Sequence, residues 1–156
     1  MPIAFIIPAQ PFLIGKDFDN FEVMDRTDFI KELEGDILPF WMDRMSDPKG
    51  GFYGKMDGNG TLVPGAEKGA ILNSRILWTF ASSYRVLSKK EYLDTATRAY
   101  HEIRDRFTDE EYGGLFWSLD SDGRPKDTKK QFYAIAFAIY GLAEYFRATG
   151  DTEALE

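Results

Sequence analysis

Two stretches of the chain, DPKGGFYGKMDGNGTL (47–62) and DEEYGGLFWSLDSDGRP (109–125), are variants of one another. Gly50-Gly51 matches Gly113-Gly114, and Asp57, Asn59 and Gly60 match Asp120, Asp122 and Gly123, all at an offset of 63. After one deletion the correspondence continues at an offset of 62: Leu77-Trp78 meets Ile139-Tyr140, Tyr84 meets Phe146 and Leu93 meets Leu155. A repeat constrains the fold more than any local propensity does, because each unit must bury its apolar face on the next. A period near 62 is too long for the common two-helix solenoids and suits the helix-pair units of an (α/α)-barrel.

Each unit reads as helix, Gly-Gly hairpin, helix. The first helix of each pair is one-sided. Over 28–45, Phe29, Ile30, Leu33, Ile37, Phe40 and Trp41 form a stripe opposite Asp28, Lys31, Glu32 and Arg44, with Gly35 and Pro39 expected to bend or loosen it. Over 89–107, Tyr92, Ala96, Ala99, Ile103 and Phe107 repeat the stripe, and Ser88-x-x-Glu91 reads as a capping box. The second helices, 68–87 and 130–148, are apolar on every side, as helices buried all round should be. One-sided helices alternating with all-apolar ones imply an outer ring around an inner ring. The hairpins carry Asx-Gly turns and alternate in polarity, which predicts short strand pairs.

The expected class is therefore all-α, an incomplete N-terminal part of an (α/α)6-barrel type of fold with outer/inner helix pairs and short β-hairpins. Residues 1–25 are read as an N-terminal arm and 26–156 as the N-terminal part of the barrel domain. Gly150 reads as a helix terminator and Thr152 as the cap of a third outer helix, so a longer protein or pairing with other chains is expected. Self-association through the open edge of the barrel follows as a candidate partner.

Composition narrows the function. A formal net charge of -7 repels phosphate backbones and anionic lipid, so neither nucleic acid nor a membrane surface is an expected partner. With no cysteine and one histidine, disulfides, thiolate catalysis and histidine-rich metal sites are all out, and a cytoplasmic location fits. The apolar start, MPIAFIIPAQPFLIG, lacks a basic n-region and holds three prolines, so it does not read as a signal peptide.

Within KGAILNSRILWTF (68–80), Arg75 falls among Ile71, Leu72 and Trp78 on one face of a helix read as buried. Burying a guanidinium without partners costs several kcal/mol, of order ~3 or more. Arg75 is thus either a ligand-facing cation or a structural arginine paired with a buried carboxylate.

The segments FWMDRMSDPKGGFYGKMD, EKGAILNSRILWTFASSY and YGGLFWSLDSDGRPKDTKKQFYAIAFAIYGLAEYF closely resemble the N-terminal part of cellobiose 2-epimerases, within the N-acylglucosamine 2-epimerase superfamily. The resemblance runs from about residue 28 to the end, and NSRILW after GGFYG favours the cellobiose branch. It implies an (α/α)6 barrel and inversion at C2 of the reducing-end glucose of a β-1,4-linked disaccharide, such as cellobiose or lactose, to the mannose epimer. One histidine removes the C2 proton, an enediolate forms, and another histidine reprotonates the opposite face. No metal and no organic cofactor is implied. The partner implied is a small-molecule disaccharide.

Carried over by position, the resemblance makes Arg75 the arginine that stabilises the enediolate near C1 and C2. Tyr133 becomes a pocket-lining tyrosine, with a core tyrosine as the plain alternative; subtracting 62 places it at 71, one turn before Arg75 on the same face. Gln131 and Ala134 depart from the histidine and asparagine frequent in the family there. Asn73 is a substrate-binding candidate that with Ser74 could instead orient Arg75 or cap the helix. Trp78, Trp117 and Tyr53 are candidates for sugar contact, packing being their alternative role. His101 lies on the charged side of its helix and outside any catalytic position, so the proton-transfer histidines are expected beyond residue 156. The acidic loops at Asp57 and Asp120 read as turns. Competing readings are an N-acylglucosamine 2-epimerase or aldose–ketose isomerase of the same fold, a glycoside hydrolase, which needs a carboxylate pair where only Glu144 stands, and a non-catalytic sugar-binding or truncated fragment.

Overall fold

The computed structural model describes residues 25–156; the expected N-terminal arm lies outside them, apart from Asp25. Helix α1 (Arg26–Glu32) starts at Asp25, whose carboxylate accepts from the Thr27 and Asp28 amides while Asp28 bonds back to the Asp25 amide. It continues through two π-helical turns, Leu33–Ile37 and Phe40–Arg44, that straddle Pro39. Proline has no N–H and its ring clashes with the carbonyl four residues back, so the helix widens there instead of breaking. The loosening expected at Gly35 and Pro39 takes this form.

Strand β1 (Lys68–Gly69) leads into α2 (Ala70–Leu87), followed by α3 (Lys90–Glu102) with a π turn (Ile103–Phe107). Strands β2 (Ser118–Leu119) and β3 (Pro125–Asp127) precede α4 (Phe132–Thr149) and a 3-10 turn (Thr152–Leu155). The sheet order is β1-β2-β3, antiparallel throughout, with Lys68 opposite Leu119 and Gly69 opposite Ser118. The second hairpin is therefore stitched to the root of α2. The first hairpin forms no ladder; the isolated bridges Ser46–Phe52 and Met56–Leu62 stand where a strand pair was predicted.

The two units match bond for bond. The Asp47 amide donates to the Gly51 carbonyl at 3.1 Å and the Asp109 amide to the Gly114 carbonyl at 2.9 Å. The Tyr53 amide meets the Met45 carbonyl, and the Phe116 amide the Phe107 carbonyl, both at 2.8 Å. In each hairpin loop one aspartate, Asp57 or Asp120, accepts from two backbone amides ahead of it at 2.8–2.9 Å. Gly50, Gly51, Gly113 and Gly114 all have positive φ, which explains the repeated glycine pairs.

The core lies between α2, α3 and α4. Leu77, Phe80, Ala81, Ala96, Ala99 and Phe107 are fully buried, each large side chain contributing about 1.5–3 kcal/mol. Tyr100 stacks on Tyr145 with centroids 4.6 Å apart. Gly141 lets α4 approach α2 closely, since a Cβ there would lie 2.7 Å from the Ser74 carbonyl oxygen.

Three local expectations are corrected. Ser88 does not cap α3; it closes α2 in the left-handed region at φ 57°, and Lys89 begins α3 without a side-chain cap. Asp151, not Thr152, caps the final turn by accepting from the Glu153 amide. The inner helices are not buried all round. Arg75 is exposed, and α4 exposes Phe132 (90%), Tyr133 (63%), Ile139 (63%) and Tyr140 (49%) among the described residues.

Candidate active site

The root of α2 is fixed from three directions. The Ala70 amide donates to the Trp117 carbonyl at 3.1 Å, which ties the first turn to the second hairpin. Gly54 lies under the Glu67 carbonyl, where a Cβ would come within 1.8 Å. Lys68, with its side chain 1% exposed, bonds the Asp47 carboxylate at 2.8 Å and the Gly50 carbonyl at 2.6 Å, and stands 3.8 Å from Glu102.

Arg75, less than two turns into the helix so anchored, opens on a cleft of about 710 Å³. Ile71, Leu72, Ile76 and Thr79 of α2 form one wall; Trp41 of the π turn and Trp117 beside β2 bring indoles, and Lys55 and Glu67 line it too. Glu67 is taken up by Lys126 at 2.9 Å. Arg75 makes neither an ion pair nor a side-chain hydrogen bond with any described residue. Its guanidinium carbon lies 5.9 Å from the centroid of Phe137, its own counterpart one repeat later. Exposure removes the energetic problem of a buried unpaired cation. What remains is a permanent charge in a mostly apolar cleft, with five donors free for oxygen ligands.

Apart from Trp117, the other candidates do not line this cleft. Tyr133 is on the first turn of α4, exposed, edge-on to Phe137 with centroids 4.9 Å apart. Trp78 is half-buried and stacked on Tyr140, and Tyr53 is half-buried on the first hairpin. Asn73 has no exposure: its amide donates to the Gly69 carbonyl at 3.0 Å, and its Oδ1 has no partner among the described residues. Ser74 likewise bonds back to the Ala70 carbonyl at 2.8 Å. Neither hydrogen-bonds the Arg75 side chain. His101 is exposed on α3, 3.8 Å from Asp105. Glu144, buried, is held by Arg85 and Arg147, each at 2.8 Å.

Sequence reasoning missed the charged cluster beneath the Gly-Gly loop. Besides Lys68 and Asp47 it contains Glu102, 4% exposed, with Arg106 3.6 Å away. Arg98 donates to the Gly51 carbonyl at 2.9 Å and to the Asp47 carbonyl. Burial alone would raise the Asp47 carboxyl, but the Lys68 hydrogen bond and the Lys49 amide hold it below the usual range. Burial pushes Glu102 up, against the pull of Lys68, Arg106 and Arg98. The signal was present in the repeat: Lys130 is Lys68 plus 62, Asp109 is Asp47 plus 62, and they too are paired, at 2.6 Å. Trp41, read only as part of an outer-helix stripe, was missed as a wall of the cleft.

The family model for N-acylglucosamine 2-epimerase (GlcNAc 2-epimerase) matches residues 51–156. The chain is 58% identical over 126 residues to a cellobiose 2-epimerase of Bacteroides fragilis, covering 80% of this chain and 32% of that protein. It matches the crystal structure of a sugar epimerase from a ruminal bacterium with a TM-score of 0.80 and 46% identity, covering 83% of this chain and 33% of that one. A D-mannose isomerase matches with a TM-score of 0.74 and 25% identity, over 83% and 32% of the two chains. The chain spans about a third of the length of these relatives.

Proposed function

For a chain that belongs to the N-acylglucosamine 2-epimerase family and carries the helix pairs of its (α/α)6 barrel, we propose that Arg75 serves a sugar 2-epimerase site. The substrate class is a β-1,4-linked disaccharide such as cellobiose or lactose, whose reducing-end glucose becomes mannose. The observation that carries this reading is the exposed, unpaired guanidinium in a cleft walled by two indoles, in a chain 58% identical to a cellobiose 2-epimerase.

In the open-chain sugar a base takes the C2 proton and the electron pair moves onto O1, giving an enediolate. Returning a proton to the opposite face of C2 regenerates the aldehyde with inverted configuration. Negative charge grows on O1 as the proton leaves and is absent from the substrate, so a cation fixed beside O1 and O2 stabilises the transition state more than the substrate. Arg75 has the fixed charge and planar donor fork for that task. Tyr133 reaches the sugar from the first turn of α4, and Tyr53 and Trp78 supply further contacts. Asn73, without exposure, supports Arg75 through its hold on the α2 root. The acid and base come from parts of such a barrel that these 156 residues do not match, since His101, the chain's one histidine, is on α3 away from the cleft lining.

The likeness to a D-mannose isomerase favours a second reading, aldose–ketose isomerisation. The same enediolate reprotonated at C1 instead of C2 gives a ketose. One experiment separates the two. A chimera in which this chain replaces the matching third of the Bacteroides fragilis relative is incubated with cellobiose in D₂O. Glucosyl-mannose carrying deuterium at C2 supports epimerisation, and a ketose with deuterium at C1 supports isomerisation. Release of glucose alone would overturn both in favour of hydrolysis.

A further inference from the structure

Each inner helix starts two residues after a lysine, and each lysine reaches back to the aspartate that opens its Gly-Gly loop. Lys68 bonds Oδ2 of Asp47 at 2.8 Å, and Lys130 bonds Oδ2 of Asp109 at 2.6 Å. In both aspartates the other oxygen, Oδ1, accepts loop amides: that of Lys49 for Asp47, those of Glu111 and Tyr112 for Asp109. Neither N-cap, Gly69 or Gln131, bonds its helix through a side chain. The root of each inner helix is thus held to its loop by an ion pair and not by a cap.

The two roots differ in what else holds them. α2 follows β1 without a break, and its first amide, Ala70, bonds the Trp117 carbonyl. Residues 128–131 separate β3 from α4. Of these, Lys129 bonds Asp127, two residues back, whereas Lys130 reaches across the second hairpin. Besides meeting Asp109, its Nζ lies over the Phe116 ring, 4.4 Å from the centroid. Gly114 touches both sides of this joint, since a Cβ there would meet Ile135 Cδ1 at 3.6 Å and Lys130 Cδ at 3.7 Å. The close crossing with α2 comes only at Gly141, more than two turns beyond Tyr133.

Tyr133 is on the first turn of α4, three residues after Lys130. Its ring is mostly exposed and meets Phe137 of the same helix edge-on, so the place of its hydroxyl follows the place of that turn. We infer that Lys130 is a positioning residue for Tyr133, holding the first turn of α4 against the second Gly-Gly loop through Asp109 and Phe116. The inference rests on the proposed contact of Tyr133 with the sugar. The ammonium of Lys130 is engaged by Asp109 and Phe116, so Lys130 acts through Tyr133 and not on the sugar. A displacement of about 1 Å can cost about 10²-fold in rate, whereas an ion pair whose lysine is 32% exposed adds little to global stability. Loss of Lys130 therefore shows in kinetics more than in melting.

The test is a double-mutant cycle in the chimera with the Bacteroides fragilis relative. Lys130→Met should lower kcat/KM for cellobiose by about 10–10²-fold with little change in melting temperature. Tyr133→Ala should lower it by at least as much, and the double variant no further than Tyr133→Ala alone. Lys130→Arg, which keeps the charge, should recover most of the loss. In the 156-residue chain itself, Lys130→Met should speed hydrogen exchange of the Ile135 amide, which closes the first turn on the Gln131 carbonyl at 3.1 Å. The expected acceleration is up to about 5-fold, with amides near Gly141 unchanged. Losses that multiply in the double variant overturn the inference. So does an active chimera whose kcat/KM ignores Lys130→Met, or an Ile135 exchange rate that does; each leaves the proposed function standing. A native chimera without activity on cellobiose overturns that function, and the inference with it.

Discussion

Trp78 stacks on Tyr140, its own counterpart one repeat later, with ring centroids 5.0 Å apart and planes inclined by 13°. Equivalent positions of successive units therefore touch, as they do around the inner wall of a ring. Arg75 and Phe137 form a second pair of this kind.

Trp78→Ala should cost about 2–4 kcal/mol in urea unfolding, and Trp78→Phe under about 1.5 kcal/mol, because the ring pair contributes apolar burial and stacking but no hydrogen bond. Equal losses for the two variants would show that the stack carries no weight.

Gly141→Ala should destabilise by about 1–3 kcal/mol although alanine is the better helix former. The added methyl would sit 2.7 Å from a backbone oxygen, which cannot swing aside as a side chain can. A gain in melting temperature would contradict the close crossing of α2 and α4.

Lys68→Met leaves Asp47 and Glu102 buried without their shared cation and should cost about 3–5 kcal/mol at neutral pH. The same cluster sets two opposite responses to acid. Asp47 is held below its ordinary 3.8, so the unfolded chain takes up that proton first. Its contribution is complete above 3.8 and disappears as pH falls through the lower folded value. Glu102 is raised above 4.5, so the folded chain takes up the proton first and gains stability as pH falls through the raised value towards 4.5. Glu102→Gln should remove that gain and leave stability at neutral pH unchanged or higher. Urea midpoints measured across the acid range check both; an unaltered pH profile would rule out the Glu102 assignment.

In the chimera with the Bacteroides fragilis relative, Arg75→Ala should lower kcat/KM for cellobiose by about 10²–10³, mostly in kcat, with little change in melting temperature. His101→Ala should leave the rate unchanged. A rise in KM alone for Arg75→Ala would assign the residue to ground-state binding.

The order of helices and hairpins was legible in the sequence because the repeat and the hydrophobic periodicity report the same units. α2, predicted over 68–87, runs Ala70–Leu87, and α4, predicted over 130–148, runs Phe132–Thr149. Caps were less legible. Ser88 satisfies the spacing of a capping box but is used first by the helix that ends there, since only Ser88 and Lys89 separate α2 from α3. The burial of Arg75 was misjudged for a different reason. An all-apolar helix tells what it packs against in a closed ring, and the described residues close only part of one. The cleft's second wall, Trp41, was hidden because a stripe assigns a residue to an interior without saying which interior.

The charged cluster under Gly50-Gly51 bears on how the chain folds. Lys68 and Asp47 belong to the first unit, whereas Glu102, which pairs with Lys68, Arg98, which donates to the Asp47 and Gly51 carbonyls, and Arg106, which donates to the Lys49 carbonyl, arrive with the outer helix of the second. The first hairpin thus cannot finish its own polar bonding until α3 docks. The cooperative block is out of phase with the sequence repeat, running from one hairpin to the following outer helix, so a cut between units severs a block through its middle.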